Sequence, residues 1–312
     1  MIRIERYNSE KQSEWDEFVR SAKNSSFLFE RAFMDYHSDR FSDYSLMAYR
    51  DDKLLTVLPA NRIAGVVYSH LGLTYGGWVM PLRKFNVVDM LEVMDAALDA
   101  MRADGVKELM YRPMPYIYHS YPAEEDLYAL FRCGAQTVVT NVSTTIDLAC
   151  PLHFNTGAKS SVSVACRNGV VIGESSDFAG YWQVLTNLLK ERYDTTPVHS
   201  LDEILRLRAS FPKNIRLFTA QKDGVLLGGV VMFYIGAVAH SQYTAATHDG
   251  WNMRVLPAVY RHIIDKECAG MRYLDFGISN EDGGRYLNEG LVLQKCGMGG
   301  RAIVYNQYKI TL

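Results

Sequence analysis

Residues 237–246 read Ala-Val-Ala-His-Ser-Gln-Tyr-Thr-Ala-Ala, an alternating run with one face too polar to be plain core. Successive side chains of a strand point to opposite faces. His240, Gln242 and Thr244 are therefore expected on one side, and Ser241, Tyr243 and Ala245 on the other. A second strand over 273–278 sets Leu274, Phe276 and Ile278 against Asp275, Gly277 and then Ser279. Between the two strands lies a helical period over 255–268. After them come a polar loop, a helix over 286–295, and a closing strand pair beyond Gly299-Gly300. This is a β-α-β-α-β order. Ligands of open α/β sheets gather beyond the carboxyl ends of strands, so the loops 247–254 and 279–285 are the first places to look.

The rest of the pattern is also mixed. A short strand over 2–7 precedes helical periods carrying Trp15, Phe18, Val19 and Ala22, then Phe29, Phe33 and Tyr36. Strands over 44–50 and 54–61 flank the turn Asp51-Asp52-Lys53, a hairpin signal. Beyond a strand near Val66, the run Ser69-His-Leu-Gly-Leu-Thr-Tyr-Gly-Gly-Trp78 has three glycines, which predicts backbone that is closely approached or turns sharply. Residues 86–102 form an amphipathic helix with Val88, Leu91, Met94, Leu98 and Met101 inward. A strand over 109–112, a helix over 124–132 and a strand over 137–148 follow. The second half continues with a helix over 159–168, a strand over 169–174, and a helix over 178–192 with Trp182, Leu185, Leu188 and Leu189 inward. Ser200-Leu-Asp-Glu203 has capping-box spacing and opens a helix over 201–209. Strands over 215–221 and 225–234 enclose the turn Lys222-Asp-Gly224. The same grammar read twice gives an α/β fold of mixed sheets in two tandem modules, 1–150 and 151–312.

The size suits two domains, with 312 residues, 48% hydrophobic and 22% charged. A net charge of -2 argues against a broad phosphate-binding surface. The cysteines at 133, 150, 166, 268 and 296 show no Cys-x-x-Cys spacing and are odd in number, which predicts reduced thiols and a cytoplasmic protein. No apolar run reaches about 18 residues, so no membrane span is expected. His-x-x-x-His, Gly-x-Ser-x-Gly and Walker patterns are absent, which removes metallohydrolase, serine hydrolase and P-loop readings.

The motifs Leu71-Gly-Leu-Thr-Tyr-Gly-Gly77, Phe218-Thr-Ala220 with Gly228-Gly229, His240-Ser-Gln-Tyr-Thr-Ala245, Leu274-Asp-Phe-Gly-Ile-Ser279, Leu287-Asn-Glu-Gly-Leu291 and Lys295-Cys-Gly-Met-Gly299 are scattered over nearly the whole chain. Together the chain resembles the GNAT (acyl-CoA N-acyltransferase) superfamily, and specifically its two-module branch, the FemAB-like peptidyl- and aminoacyl-transferases. The resemblance implies two GNAT-like modules and an amide-forming acyl or aminoacyl transfer. The amine acceptor would be a cell-wall or polysaccharide precursor, an amino sugar or a peptide. It implies no tightly bound cofactor, and acyl-CoA or aminoacyl-tRNA as co-substrate. GNAT enzymes hold a donor pyrophosphate on a glycine-containing loop that opens a helix. Here that turn is His248-Asp-Gly-Trp-Asn-Met-Arg-Val255, with a single glycine and a bulky Trp251. This departure points toward aminoacyl-tRNA or another unusual donor.

Acyl transfer to an amine needs a proton acceptor, an oxyanion donor and a proton for the leaving group. Lys295 stands at the lysine of the FemAB-like Lys-x-x-Phe-Gly motif, with Met298 in place of the aromatic residue, and the resemblance implies an oxyanion-stabilising cation there. The alternative is a helix-terminal lysine that satisfies carbonyls. His240, Glu281 and Asp275 are candidate proton acceptors, against readings as a packed histidine, a solvated acid and a capping acid. Tyr243 is a candidate leaving-group acid or a core filler, facing away from His240 unless the strand bends. Tyr75, Gly76 and Gly77 are expected at the wall of an inter-domain acceptor cleft, or else at a glycine-rich corner. Gln242 and Ser279 join the substrate-binding candidates, and Arg285, Asn288 and Arg301 are expected to reach a carboxylate or phosphate. The rival to an enzyme is a degenerate GNAT-fold binding or scaffold module.

Overall fold

The computed structural model describes residues 1–312, and their contacts divide the chain into two compact units, Met1–Asn141 with Val304–Leu312, and Val142–Ile303. The division falls inside a strand rather than at Cys150, and the segment Val304–Leu312 belongs with the first unit.

The first unit begins with β1 (Ile2–Arg6), α1 (Gln12–Ser21) and the short α2 (Arg31–Met34). β2 (Leu46–Arg50) and β3 (Lys53–Leu58) make the expected hairpin, and β1 completes a three-stranded antiparallel sheet. Asp51 and Asp52 take the turn at φ 48° and 60°, a region that short polar residues tolerate best after glycine. β4 (Asn61–Ile63) pairs antiparallel with β5 (Val66–Tyr68), and β5 runs parallel to β6 (Glu108–Tyr111). A crossover helix, α3 (Val87–Ala103), joins these parallel strands; its start is fixed by a capping box between Asn86 and Asp89. α4 (Glu125–Arg132) packs beside α3, and residues 308–311 of the last strand, β15 (Arg301–Thr311), pair antiparallel with β6. Trp78, Met90, Met94, Leu98, Leu109 and Tyr111 form the centre of this core.

The glycine-rich run folds back on its own chain. A Cβ on Gly76 would lie 1.7 Å from the Ser69 carbonyl oxygen, and Gly77 sits at φ 87° beneath the Tyr111 ring. Close approach is therefore what these two glycines serve: the approaching group is backbone at Gly76 and the Tyr111 side chain at Gly77.

β7 (Gln136–Asp147) enters the second unit at Val142. It is followed by α5 (Thr156–Arg167), β8 (Val171–Ser175), α6 (Phe178–Tyr193), α7 (Leu201–Ser210), β9 (Ile215–Lys222), β10 (Val225–Ile235) and β11 (Val238–Ala246). Then come α8 (His248–Asn252), α9 (Val255–His262), β12 (Tyr273–Ile278), β13 (Asn280–Glu281), β14 (Tyr286–Leu287) and α10 (Glu289–Gly297). The sheet order is β7-β12-β11-β10-β9-β8, antiparallel throughout except for the parallel pair β11/β12. One face carries Phe218, Val230, Met232 and Leu274 against Val255, Val259 and Ile263. The other packs on α6 through Tyr181, Trp182 and Leu185.

Three expectations change. The helix from Val255 gives way after His262 to a π-helical stretch, Ile263–Glu267. The helix expected over 286–295 starts later, because Tyr286 and Leu287 form β14 and Asn288 is the cap. The closing strand pair is one long strand, β15: after Gly299 turns the chain at φ 95°, the run from Arg301 to Thr311 contains no glycine or proline to turn it again. No helix is long and apolar enough to cross a membrane.

Candidate active site

β11 and β12 pair in parallel only where Val238, Ala239 and His240 meet Tyr273, Leu274 and Asp275; both strands then continue without a ladder between them. The last pair before they part is chemically unusual. His240 Nδ1 lies 2.9 Å from Asp275 Oδ2, with His240 almost buried and Asp275 fully so. Asp275 Oδ1 also accepts from Ser143 Oγ at 2.5 Å and Thr145 Oγ1 at 2.9 Å, both on β7. With Asp275 ionised its oxygens only accept, an arrangement that puts the shared proton on Nδ1 and the basic lone pair on Nε2.

A β-bulge at Gln242 changes which residues share a face. Met232 pairs with Ser241 and Val231 with Tyr243, so Gln242 is the extra residue. Ser241 and Thr244 consequently lie together and both hydrogen-bond the Tyr260 hydroxyl of α9, at 2.7 Å each. Tyr243 comes round to the side of His240, since their partners Val231 and Phe233 are two residues apart. The expectation that these two side chains face apart is thereby corrected. The Tyr243 hydroxyl meets His199 Nδ1, its ring packs edge-on to Trp182, and burial pushes the phenol up to about 12. The Gln242 amide oxygen is buried without a hydrogen-bond partner.

Lys295, near the end of α10, is only 6% exposed. Its Nζ donates to Gly277 O at 2.8 Å, Ile278 O at 3.0 Å and Ser279 Oγ at 2.8 Å. An ammonium has three protons, so all are engaged. Burial pulls this group down to about 8, with Asp275 working the other way. Lys295 does satisfy carbonyls, but those at the end of β12 rather than of its own helix. Gly277, at φ 77°, brings this end close to His240: a Cβ there would stand 3.6 Å from His240 Cε1.

The second unit has a cavity of about 420 Å³, lined by Asn155, Ala158, Trp251, Arg254, Leu256 and Met298 among others, and by none of His240, Asp275 and Lys295. It lies at the N-termini of α5 and α9, where backbone N–H groups favour an anion. Gly250, the one glycine of the turn 248–255, lines this cavity and is close-packed behind it: a Cβ there would lie 2.0 Å from Leu227 O, so it lets α8 pack on β10.

Other sequence candidates lie elsewhere. Glu281 and Arg285 are exposed on the β13/β14 hairpin, which leaves Glu281 a solvated acid outside the buried cluster. Asn288 caps α10 by accepting from Leu291 N at 3.0 Å, so its side chain is occupied structurally. Arg301 is exposed and donates to the carbonyl of Gly300. Tyr75 is buried in the first unit, against Phe29 and Tyr118, beside the folded-back Gly76 and Gly77. Ser143, Thr145 and Tyr260 were not expected. Tyr260 has the weak signal of a hydroxyl inside a largely apolar helix, whereas Ser143 and Thr145 have none, because β7 carries polar residues along its whole length.

Residues 165–286 match the acetyltransferase (GNAT) domain family. Among solved structures, FemX aligns over 99% of this chain and 97% of its own, at 12% identity and a TM-score of 0.72. The C-terminal domain of a putative lysylphosphatidylglycerol synthetase from Agrobacterium fabrum aligns over 96% and 93%, at 12% identity and TM-score 0.64. A tandem GNAT protein of the clavulanic acid biosynthesis pathway aligns over 100% and 98%, at 11% identity and TM-score 0.52. A comparison with curated proteins finds no match.

Proposed function

We propose, for a chain that carries a GNAT acetyltransferase domain within a fold of the FemX kind, an N-acyltransferase that forms an amide on an amine acceptor. The observation that carries this reading is the His240–Asp275 pair at the point where the parallel strands β11 and β12 part. The amine surrenders a proton to His240 Nε2 as its nitrogen attacks the donor carbonyl. A C–N bond forms, an oxyanion develops, and collapse breaks the donor's C–S or C–O bond. The departing thiol or hydroxyl recovers the proton from the imidazolium. Asp275, held by Ser143 and Thr145, orients the ring and balances its transient charge. Lys295 has no N–H to spare, so its part is to fix the end of β12 and lend positive charge to the oxyanion at a distance.

The cavity at the start of α9 would take the donor, whose phosphates suit the Val255 and Leu256 amides. Acyl-CoA and aminoacyl-tRNA both fit that chemistry. A neighbour named lysylphosphatidylglycerol synthetase favours the aminoacyl donor. Acceptors are peptide or amino-sugar amines of cell-wall or polysaccharide precursors, and the cytoplasm supplies both donors.

The test is transfer from acetyl-CoA, longer acyl-CoA esters and charged tRNAs to a panel of amino-sugar and peptide amines. His240→Ala should cost ~10²–10⁴-fold in kcat, the usual worth of a general base; undiminished turnover would remove His240 from the chemistry. The use of Gly250 for packing favours one rival, a degenerate GNAT-fold binding module. Absence of any donor binding at millimolar concentration would select it.

A further inference from the structure

We infer that Arg112, in the first unit, is the receptor for an anionic group, a carboxylate or phosphate. It is the residue just beyond β6. Tyr111 sends its hydroxyl to Asp126 of α4 at 2.6 Å, so alternation turns Arg112 to the opposite face, that of Met110 and Tyr68. Its backbone is held on both sides by the glycine-rich loop: Arg112 N donates to Ser69 Oγ at 2.7 Å, and Arg112 O accepts from Gly76 N at 2.8 Å. The loop that Gly76 folds back therefore fixes where this side chain starts.

The other arginines of this unit that are buried or half-buried all meet carboxylates: Arg31 meets Asp35 and Asp43, Arg50 meets Asp89 and Glu92, and Arg62 meets Asp104. Arg112 is half-buried, yet its guanidinium makes no ion pair and no hydrogen bond. Burial pushes its pKa below the ordinary value, and the one group that favours its charge is the phenol of Tyr68. Such a group stays charged, and a half-desolvated charge without a partner is costly. A planar fork of five donors with nothing to bind matches a bidentate oxyanion supplied from outside the chain. This anion site does not rest on the transferase reading.

The test uses the full chain without donor or acceptor, so it stands apart from any transfer assay. The Arg112 Nε–H resonance, assigned by its loss in Arg112→Lys, is followed during titration with inorganic phosphate and, separately, acetate. A saturable shift with either is expected, and the two arms separate phosphate from carboxylate. Thermal denaturation should show Tm rising with the same anion, and Arg112→Met should match or exceed the wild-type Tm in its absence while losing that rise. No shift with either anion up to tens of millimolar would overturn the inference. So would an Arg112→Met protein that keeps the rise, or one that melts below wild type without anion while Arg112→Lys does not.

Discussion

At the scale of single residues, burial decides the chemistry. Asp275→Asn keeps the shape but allows the wrong imidazole tautomer, so kcat should fall by ~10²-fold or more with the fold intact by circular dichroism. Lys295 titrates at about 8 instead of 10.5, so the folded state binds its proton less tightly than the unfolded chain. Its contribution to stability is present above 10.5 and lost as pH falls through about 8. The difference in unfolding free energy between Lys295→Met and wild type should therefore move in favour of the variant from pH 10.5 down to 8 and stay flat below, as read by urea titration. His70 obeys the same sign in acid. Desolvation, then the neighbouring His37, Arg31 and Arg112, lower it from 6.5 to about 3. Stability present above pH 6.5 should decline toward pH 3, by about 5 kcal/mol. His70→Asn, which keeps an acceptor for Gly72 N and tolerates the positive φ, should flatten that decline.

At the scale of elements, the devices that set ends and contacts carry the weight. Ser200 accepts from Glu203 N while Glu203 reaches back to Ser200 N, and Ser200→Ala should cost about 1 kcal/mol in chemical denaturation. Gly250→Ala would drive a Cβ into Leu227 O and should cost about 2–4 kcal/mol by the same measurement, with the cavity beside α9 distorted. The Ser200 box was legible because a cap needs only local spacing, and so was the existence of the helix over 86–102, though its inward stripe was only half right: Met94, Leu98 and Met101 are buried, Val88 is exposed, and Met90, Val93 and Ala97 complete the buried face. The faces of β11 were not. Period-two counting holds until a residue is inserted, and the bulge at Gln242 shows only in the partner strand's register. The same limit hid Ser143 and Thr145, whose roles depend on β7 lying beside β12. The lysine of α10 was found through resemblance, but nothing in its spacing told that all three of its protons would be taken.

At the scale of the whole molecule, the two-module α/β architecture follows from element order, and the match to FemX over nearly all of both chains has the same extent. What escaped was the path of the last strand. An unbroken apolar-polar run says that a strand forms, not which sheet receives it, and residues 308–311 pair with β6 of the first unit. Protein synthesis proceeds in one direction, and domains ordinarily fold as they emerge, first part first. Here the opening unit must wait: until the ribosome has made residues 304–312, one side of β6 has no neighbour, while everything needed by the later unit has already been translated. Nascent chains arrested after Ile303 should thus yield a protease-resistant second unit and a still-digestible first one, an inversion of the usual order of birth.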